Sequence, residues 1–326
     1  MDSRRAASTI LVTGASGFLG RTVSTTLETR GFRVLRGCRE LPVAASSAGW
    51  VAHGPVGART DWSNALEGID AVVHLAGVAH LPDRAPESQV AEIDEVNARG
   101  TAHLVRTAAE SGVRRFVFMS TALVHGADSG DRPIIESDPI RPLGAYARSK
   151  VAAEQEVERI AGQLGIEHVI LRPPMVYGPG AAGNFRRLCN LVRSGWPLPL
   201  GRATAPRSFL GIDNLADAVA HCVVHPGAAN ASFLVCDSGT LSTAVFVREL
   251  AAAMGRRASL LPVPPHLVGL GLRLLGRGRD YTRLFARFNI SNQRLLEKVG
   301  WSPPDSLSQG LRRAVGECAV DRQHRE

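Results

Sequence analysis

Short apolar runs alternate with amphipathic stretches through the first half of the chain. STILVTG, FRVLRGC, IDAVVHLAG, RRFVFMS and HVILRPP each have an unbroken apolar middle and are too short for helices. Strands buried on both faces read this way. Between them, the segment after Gly20, the stretch from Ile93 to Glu110 and the stretch from Tyr146 to Leu164 carry helical periodicity. The alternation predicts an α/β fold, a doubly wound parallel sheet with helices on both faces. After Pro173 the pattern loosens, with Pro and Gly clustered at 173–183 and 195–206. SFLGIDNLADAV and ASFLVCD predict a return to the sheet, and from Leu241 onward helices dominate. HLVGLGLRLLG is too short and too interrupted by arginine to span a bilayer; it is expected to be an amphipathic helix packed on the protein.

Composition narrows the class. With 326 residues and 44% hydrophobic content, the chain suits one large or two intimate domains. The net charge of +8 comes from scattered arginines with few aromatics among them, which argues against nucleic acid and suits anionic small substrates. The five cysteines are odd in number and form no CxxC, so neither a disulfide framework nor a metal site is expected. A reducing, cytoplasmic setting fits, and MDSRRAASTILVTG has no signal-like apolar run.

TGASGFLG spaces Gly14, Gly17 and Gly20 directly after a strand and ahead of a helix. Glycine permits a tight turn and close backbone approach, and the helix N-terminus offers free N–H groups to a pyrophosphate. The expectation is a dinucleotide-binding domain over 1–172 that also takes sheet segments from about 207–238. A smaller substrate-binding region over 173–326 is interleaved with it. At the end of the second strand, RVLRGCRE places Cys38 where an acid would hold the ribose of NAD, flanked by Arg36 and Arg39, with Glu40 late. Arginines there accommodate a 2′-phosphate, so NADP(H) is expected at least as readily as NAD(H). Tyr146 and Lys150, in GAYARSK, lie four apart and share a helix face. A lysine there would favour the phenolate and suit proton transfer; the alternative is a half-buried tyrosine beside a solvated lysine.

TGASGFLG, DAVVHLAG, VNARGT, FVFMSTALVHG, YARSK and LRPPMVYGPG occur in one order and spacing. Together they resemble the extended short-chain dehydrogenases/reductases, in the nucleotide-sugar epimerase/dehydratase branch, over nearly the whole chain. RSFLGIDNLADAV extends the resemblance into the substrate half. The resemblance implies a Rossmann-type fold and a catalytic set of Thr121, Tyr146 and Lys150. Tyr146 would be the acid/base, and Lys150 would lower its pKa and hold the nicotinamide ribose. Thr121, with Ser120 beside it, would orient the reacting oxygen. His125 stands where the family often has tyrosine. Phe18 and Leu19 would meet the pyrophosphate through their backbone; Leu75, Ala76 and Gly77 would flank the cofactor. Asp61 would touch the adenine edge, and Asn97 would be structural. In the substrate half, Asn184 and Arg207 would meet the diphosphate of a nucleotide sugar, a UDP-sugar by preference. Arg279 is a second candidate, and WPLPLG from Trp196 to Leu200 would lie along the base.

A narrower resemblance, carried by NFRRLCNLVRSGWPLPLG, LLPVPPHLVGLGLRLLGRG and LLEKVGWSPPDSLSQGLRR, is to enzymes of O-antigen synthesis. These reduce a UDP-4-keto-6-deoxy-N-acetylhexosamine to UDP-N-acetylquinovosamine; others in the group are UDP-glucose 4-epimerase-like. The leading expectation is therefore an NAD(P)H-dependent 4-ketoreductase, with a 4-epimerase carrying bound NAD as the alternative. A dehydratase is disfavoured because Ala122 and Leu123 replace the acidic pair it needs. A non-enzymatic cofactor sensor or assembly factor is disfavoured because Tyr146 and Lys150 are both present. A homodimer through helices near 90–110 and 146–162 is expected by the same resemblance.

Overall fold

The computed structural model describes residues 8–41, 48–79 and 86–320; within these, nothing is described of the side chains of Arg279 and residues 317–320. The strands are β1 (Thr9–Thr13), β2 (Arg33–Cys38), β3 (Trp50–Ala52), β4 (Ala71–His74), β5 (Arg115–Met119), β6 (Glu167–Arg172), β7 (Met175–Tyr177), β8 (Pro206–Arg207), β9 (Phe209–Gly211), β10 (Ala231–Leu234) and β11 (Leu241–Ser242). Seven of them form one parallel sheet in the order β3-β2-β1-β4-β5-β6-β10. The order reverses between β1 and β4, which opens a crevice at the carboxyl ends of the strands.

The helices are α1 (Phe18–Thr29), α2 (Ser63–Leu66), α3 (Glu87–Asp94), α4 (Gly100–Glu110), α5 (Gly144–Leu164), α6 (Gly183–Ser194), α7 (Ile212–Val224), α8 (Thr243–Ala253), α9 (Pro265–Leu274), α10 (Gly278–Phe285), α11 (Gln293–Val299) and α12 (Leu307–Val320). The two-residue period of the strands divides their side chains between two cores. Ile10, Val12, Val73 and Val117 face α1 and α7, whereas Leu11, Val72, Phe116 and Phe118 face α4 and α5. Burial of both faces is why these strands read as continuous apolar runs. A third core unites α6, α8 and α12 in the carboxy-terminal region, where Phe209 stacks on Phe246 at 4.1 Å.

Several expectations shift. β3 is a short extra strand, so AVVH is the fourth strand and not the third. α1 begins at Phe18, inside the glycine motif, because the Gly17 N–H bonds the Gly14 carbonyl and closes the turn early. The stretch expected as one helix from Ile93 is broken by a π-helical turn over Glu95–Arg99. Such turns gather at functional sites, and here it brings Asn97 onto the end of β4. SFLG does not rejoin the main sheet: β9 pairs with β7, and IDNLADAV is helix α7. HLVGLGLRLLG does form α9, but Gly269 is its only buried residue. Leu267, Leu270 and Leu274 of this helix are exposed, and Leu272 is half-buried.

Candidate active site

Gly14 sits at φ +68, a left-handed conformation that glycine adopts without strain. A Cβ there would lie 2.8 Å from the backbone nitrogen of Ala76. One on Gly20 would lie 2.2 Å from the Gly14 carbonyl. The glycine loop therefore presses against the Leu75–Gly77 segment that follows β4. No side chain caps α1, and no acid stands in its first turn, so the N–H groups of Phe18, Leu19 and Gly20 open α1 without a side-chain partner. This is a cradle for a pyrophosphate, and the residues present fit a dinucleotide.

Across the crevice, α5 carries Tyr146 and Lys150. Lys150 is buried and donates from Nζ to the Met119 carbonyl at 2.8 Å, with the ammonium 4.6 Å from the Phe118 ring centre. Nζ also lies 3.5 Å from where a Cβ on Gly77 would stand. Lys150 thus joins the ends of β4 and β5. Burial pushes its ammonium down to about 8, against the raising influence of Glu154. Thr121 lies two residues beyond Met119 and caps a 3₁₀ turn, its Oγ1 accepting from the Leu123 N–H at 3.3 Å. Its hydroxyl proton is left free for another acceptor.

Tyr146 is half-buried, and its phenol bonds no described residue. Burial pushes it up to about 12. Desolvation governs the phenol, and the Lys150 ammonium is bonded to the Met119 carbonyl.

Asn97 locks this arrangement. Its Oδ1 accepts from Val78 N–H at 2.8 Å, and its Nδ2 donates to the Val78 carbonyl at 2.9 Å and to Ser149 Oγ at 3.0 Å. Ser149 in turn donates to the Tyr146 carbonyl at 2.9 Å. A second chain runs through His74, which sequence reasoning missed. Thr101 spends its proton on the Asn97 carbonyl, so His74 must donate to it from Nε2 and accept from Thr13 at Nδ1. The ring is neutral, since burial pushes it down to about 3.

Ser120 departs from the expected substrate contact. It is buried and donates to Glu154, which makes a two-point pair with Arg172 at 3.0 and 2.7 Å. Arg172 also meets His125 Nε2 at 3.2 Å, so the buried His125 belongs to this network. Glu154 lies four residues beyond Lys150 on the same face of α5. That continuation of the Tyr146–Lys150 spacing could have revealed it.

At the end of β2 the picture differs from expectation. Arg36 pairs with Glu28 of α1 at 2.5 Å and lies over Trp50, so its guanidinium is engaged on the α1 side of the sheet. Cys38 is buried, its thiol against the Val51 carbonyl. Arg39 is exposed and makes no ion pair with any described residue. Asp61 is turned to local use: it accepts from the Ser63 N–H and hydroxyl at 3.0 and 2.7 Å, which hold its carboxyl below the usual range.

In the substrate half, Arg207 is half-buried without a carboxylate partner. It donates to the Ala286 carbonyl at 2.7 Å and lies over Phe288, and burial pulls it down to about 10. Asn184 is exposed in the first turn of α6, and no hydrogen bond joins it to Arg207. Trp196 is exposed, and Arg279 lies in α10 with its side chain outside the described residues. Among the described residues, no group of His, Cys, Asp and Glu could hold a metal ion.

The NAD dependent epimerase/dehydratase family model matches residues 10–236. A UDP-glucose 4-epimerase of Vibrio cholerae is 35% identical over 96% of both chains. Among solved structures, MoeE5 in complex with UDP-glucose and NAD superposes with a TM-score of 0.77 at 23% identity, over 97% of this chain and 100% of that one. The UDP-N-acetylglucosamine 4-epimerase of Bacillus cereus does so at 0.76 and 20%, with the same coverage. Fold, glycine cradle and sequence similarity agree: the chain belongs to the NAD dependent epimerase/dehydratase family and is an enzyme of its nucleotide-sugar branch.

Proposed function

We propose that the protein is a nucleotide-sugar 4-epimerase that turns over a UDP-hexose or UDP-N-acetylhexosamine with retained NAD. The observation that carries the reading is Lys150 on the Met119 carbonyl at the end of β5, two residues before Thr121, with Gly14 against Ala76 at the neighbouring strand end. Residues 1–172, with β10, would hold the cofactor, and 173–326 the sugar nucleotide. Gly14, Gly17, Phe18, Leu19 and Gly20 would receive the pyrophosphate, and Lys150 the nicotinamide ribose. When bound, the oxidised cofactor supplies a hydride acceptor and a positive charge that favours the Tyr146 phenolate.

Tyr146 then takes the proton from the sugar O4 as the C4–H bond breaks, and returns it when that bond re-forms on the opposite face. Thr121 donates its free hydroxyl proton to O4 and fixes its direction. Arg207 pairs with the diphosphate, its fork matching phosphate oxygens. Pairing of Arg36 with Glu28 removes one of the two arginines on which NADP preference rested, and the Vibrio cholerae relative adds weight to epimerisation. The test adds purified protein to UDP-glucose or UDP-N-acetylglucosamine without cofactor. The 4-epimer and stoichiometric NAD on denaturation are expected. Empty protein that forms no product would overturn the reading.

A second reading keeps the NAD(P)H-dependent reduction of a UDP-4-keto-6-deoxy-N-acetylhexosamine in surface polysaccharide synthesis. Arg39, exposed at the end of β2 with no ion-pair partner among the described residues, favours it, since a cation stands there and a buried thiol, Cys38, occupies the place an acid would take. NADPH binding far tighter than NADH binding would select it. Either reading carries a cytoplasmic homodimer through α4 and α5, which light scattering of the purified chain checks.

A further inference from the structure

The carboxy-terminal region exposes an apolar surface that the site does not use. α9 presents Leu267, Leu270 and Leu274 to solvent, followed by Leu275. Leu274 and Leu275 are 80% and 73% exposed, so whole side chains stand in water. The spacing of 267, 270 and 274 is that of one helix face. α9 is seated through Gly269, where a Cβ would lie 3.2 Å from the Tyr281 ring of α10. Trp196, 75% exposed, and the exposed Leu261 lie in a loop pair in which Leu198 bridges Leu260, a few residues ahead of α9 in the chain.

The charges of α9 and of the segment leading into it have one sign. Between Glu249 and Asp280 the sequence has no acid but holds Arg256, Arg257, Arg273, Arg277 and Arg279. Arg277 pairs with Asp280. Arg256, Arg257 and Arg273 are exposed and have no carboxylate partner among the described residues.

We propose that this face lies on an anionic lipid bilayer, with the α9 leucines and Trp196 in the acyl boundary and the arginines on headgroup phosphates. Leucine and tryptophan beside arginine on one surface is the pattern of interfacial helices. A twofold contact with a second copy would set the same arginines against each other. No described helix is long and apolar enough to cross a membrane, so the chain would lie on the surface. α10, against which α9 packs, also supplies the carbonyl of Thr282 to Arg207. The membrane face and the diphosphate candidate therefore share one support.

The experiment is vesicle flotation of the full chain, using phosphatidylglycerol–phosphatidylcholine and pure phosphatidylcholine vesicles. Flotation with the anionic vesicles is expected, weakened on the order of tenfold or more by Leu270→Glu/Leu274→Glu. Arg257→Ala and Arg273→Ala should each weaken it about fivefold. All these positions are exposed, so melting by circular dichroism should match the parent. No flotation, or undiminished flotation of the leucine variant, overturns the proposal. So does lipid-free light scattering in which the leucine variant breaks up a larger assembly, which would make the face a contact between copies. None of these outcomes depends on the chemistry at Tyr146.

Discussion

The two sides of the crevice are held in different ways. On the nicotinamide side, Lys150, Asn97, Ser149, His74 and Thr101 are all buried and bonded to one another or to strand-end carbonyls. Where the sugar nucleotide is expected, Arg207 rests on carbonyls and an aromatic face, and Asn184 is exposed. A fully satisfied polar network fixes one geometry. Groups with spare donors can take a ligand at little internal cost. On the proposed function, chemistry would be built into the rigid half, and substrate choice would be left to the half with unspent donors.

The largest effect should come from breaking the rigid side at its reacting group. Tyr146→Phe should lower kcat by about 10²–10⁴-fold while leaving melting and cofactor content intact, measured by steady-state kinetics. Next comes the buried pair behind it. Glu154→Leu leaves Arg172 buried and unpaired, and should cost about 3–5 kcal/mol in urea unfolding. Asp138→Asn, which frees the exposed Arg132, should cost at most about 1 kcal/mol by the same method.

Lys150 sharpens the contrast through pH. Its ammonium sits near 8 in the folded chain against an ordinary 10.5. Below pH 8 both states bind the proton, and the folded state carries the full penalty of burying the charge. Above it the folded state releases the proton first, so stability rises with pH up to about 10.5. Relative to Lys150→Met, the parent should gain up to about 3 kcal/mol across that window in the cofactor-free form.

The smallest changes belong to the substrate side. Arg207→Ala should raise KM for the sugar nucleotide by about tenfold or more with kcat little altered. A fall in kcat without a change in KM would show Arg207 acting on the rigid half instead.

Sequence reading reached the sheet because its strands are buried on both faces and interrupted by glycine turns, signals that are local in the chain. It singled out Thr121, Tyr146 and Lys150 because motif order is also local. It missed bonds made between separate elements: Glu154 bonds Arg172 and Ser120, and His74 joins Thr13 to Thr101. No spacing rule announces such pairs, except that Glu154 continues the four-residue series on α5. Arg36 misled for the same reason, since its partner Glu28 lies on the preceding helix. The α9 leucines misled because an amphipathic pattern does not say whether its apolar face meets protein or something else.

The central claim is that the hydride leaves and returns at sugar carbon 4, and the proton at its oxygen, within one active site. Its most direct measurement uses UDP-glucose deuterated at carbon 4, incubated with the purified chain and no added cofactor, and read by mass spectrometry of the separated epimers. The account predicts that the 4-epimer keeps its deuterium at carbon 4. Deuterium lost to solvent, or conversion that occurs only with added NADPH, would contradict it.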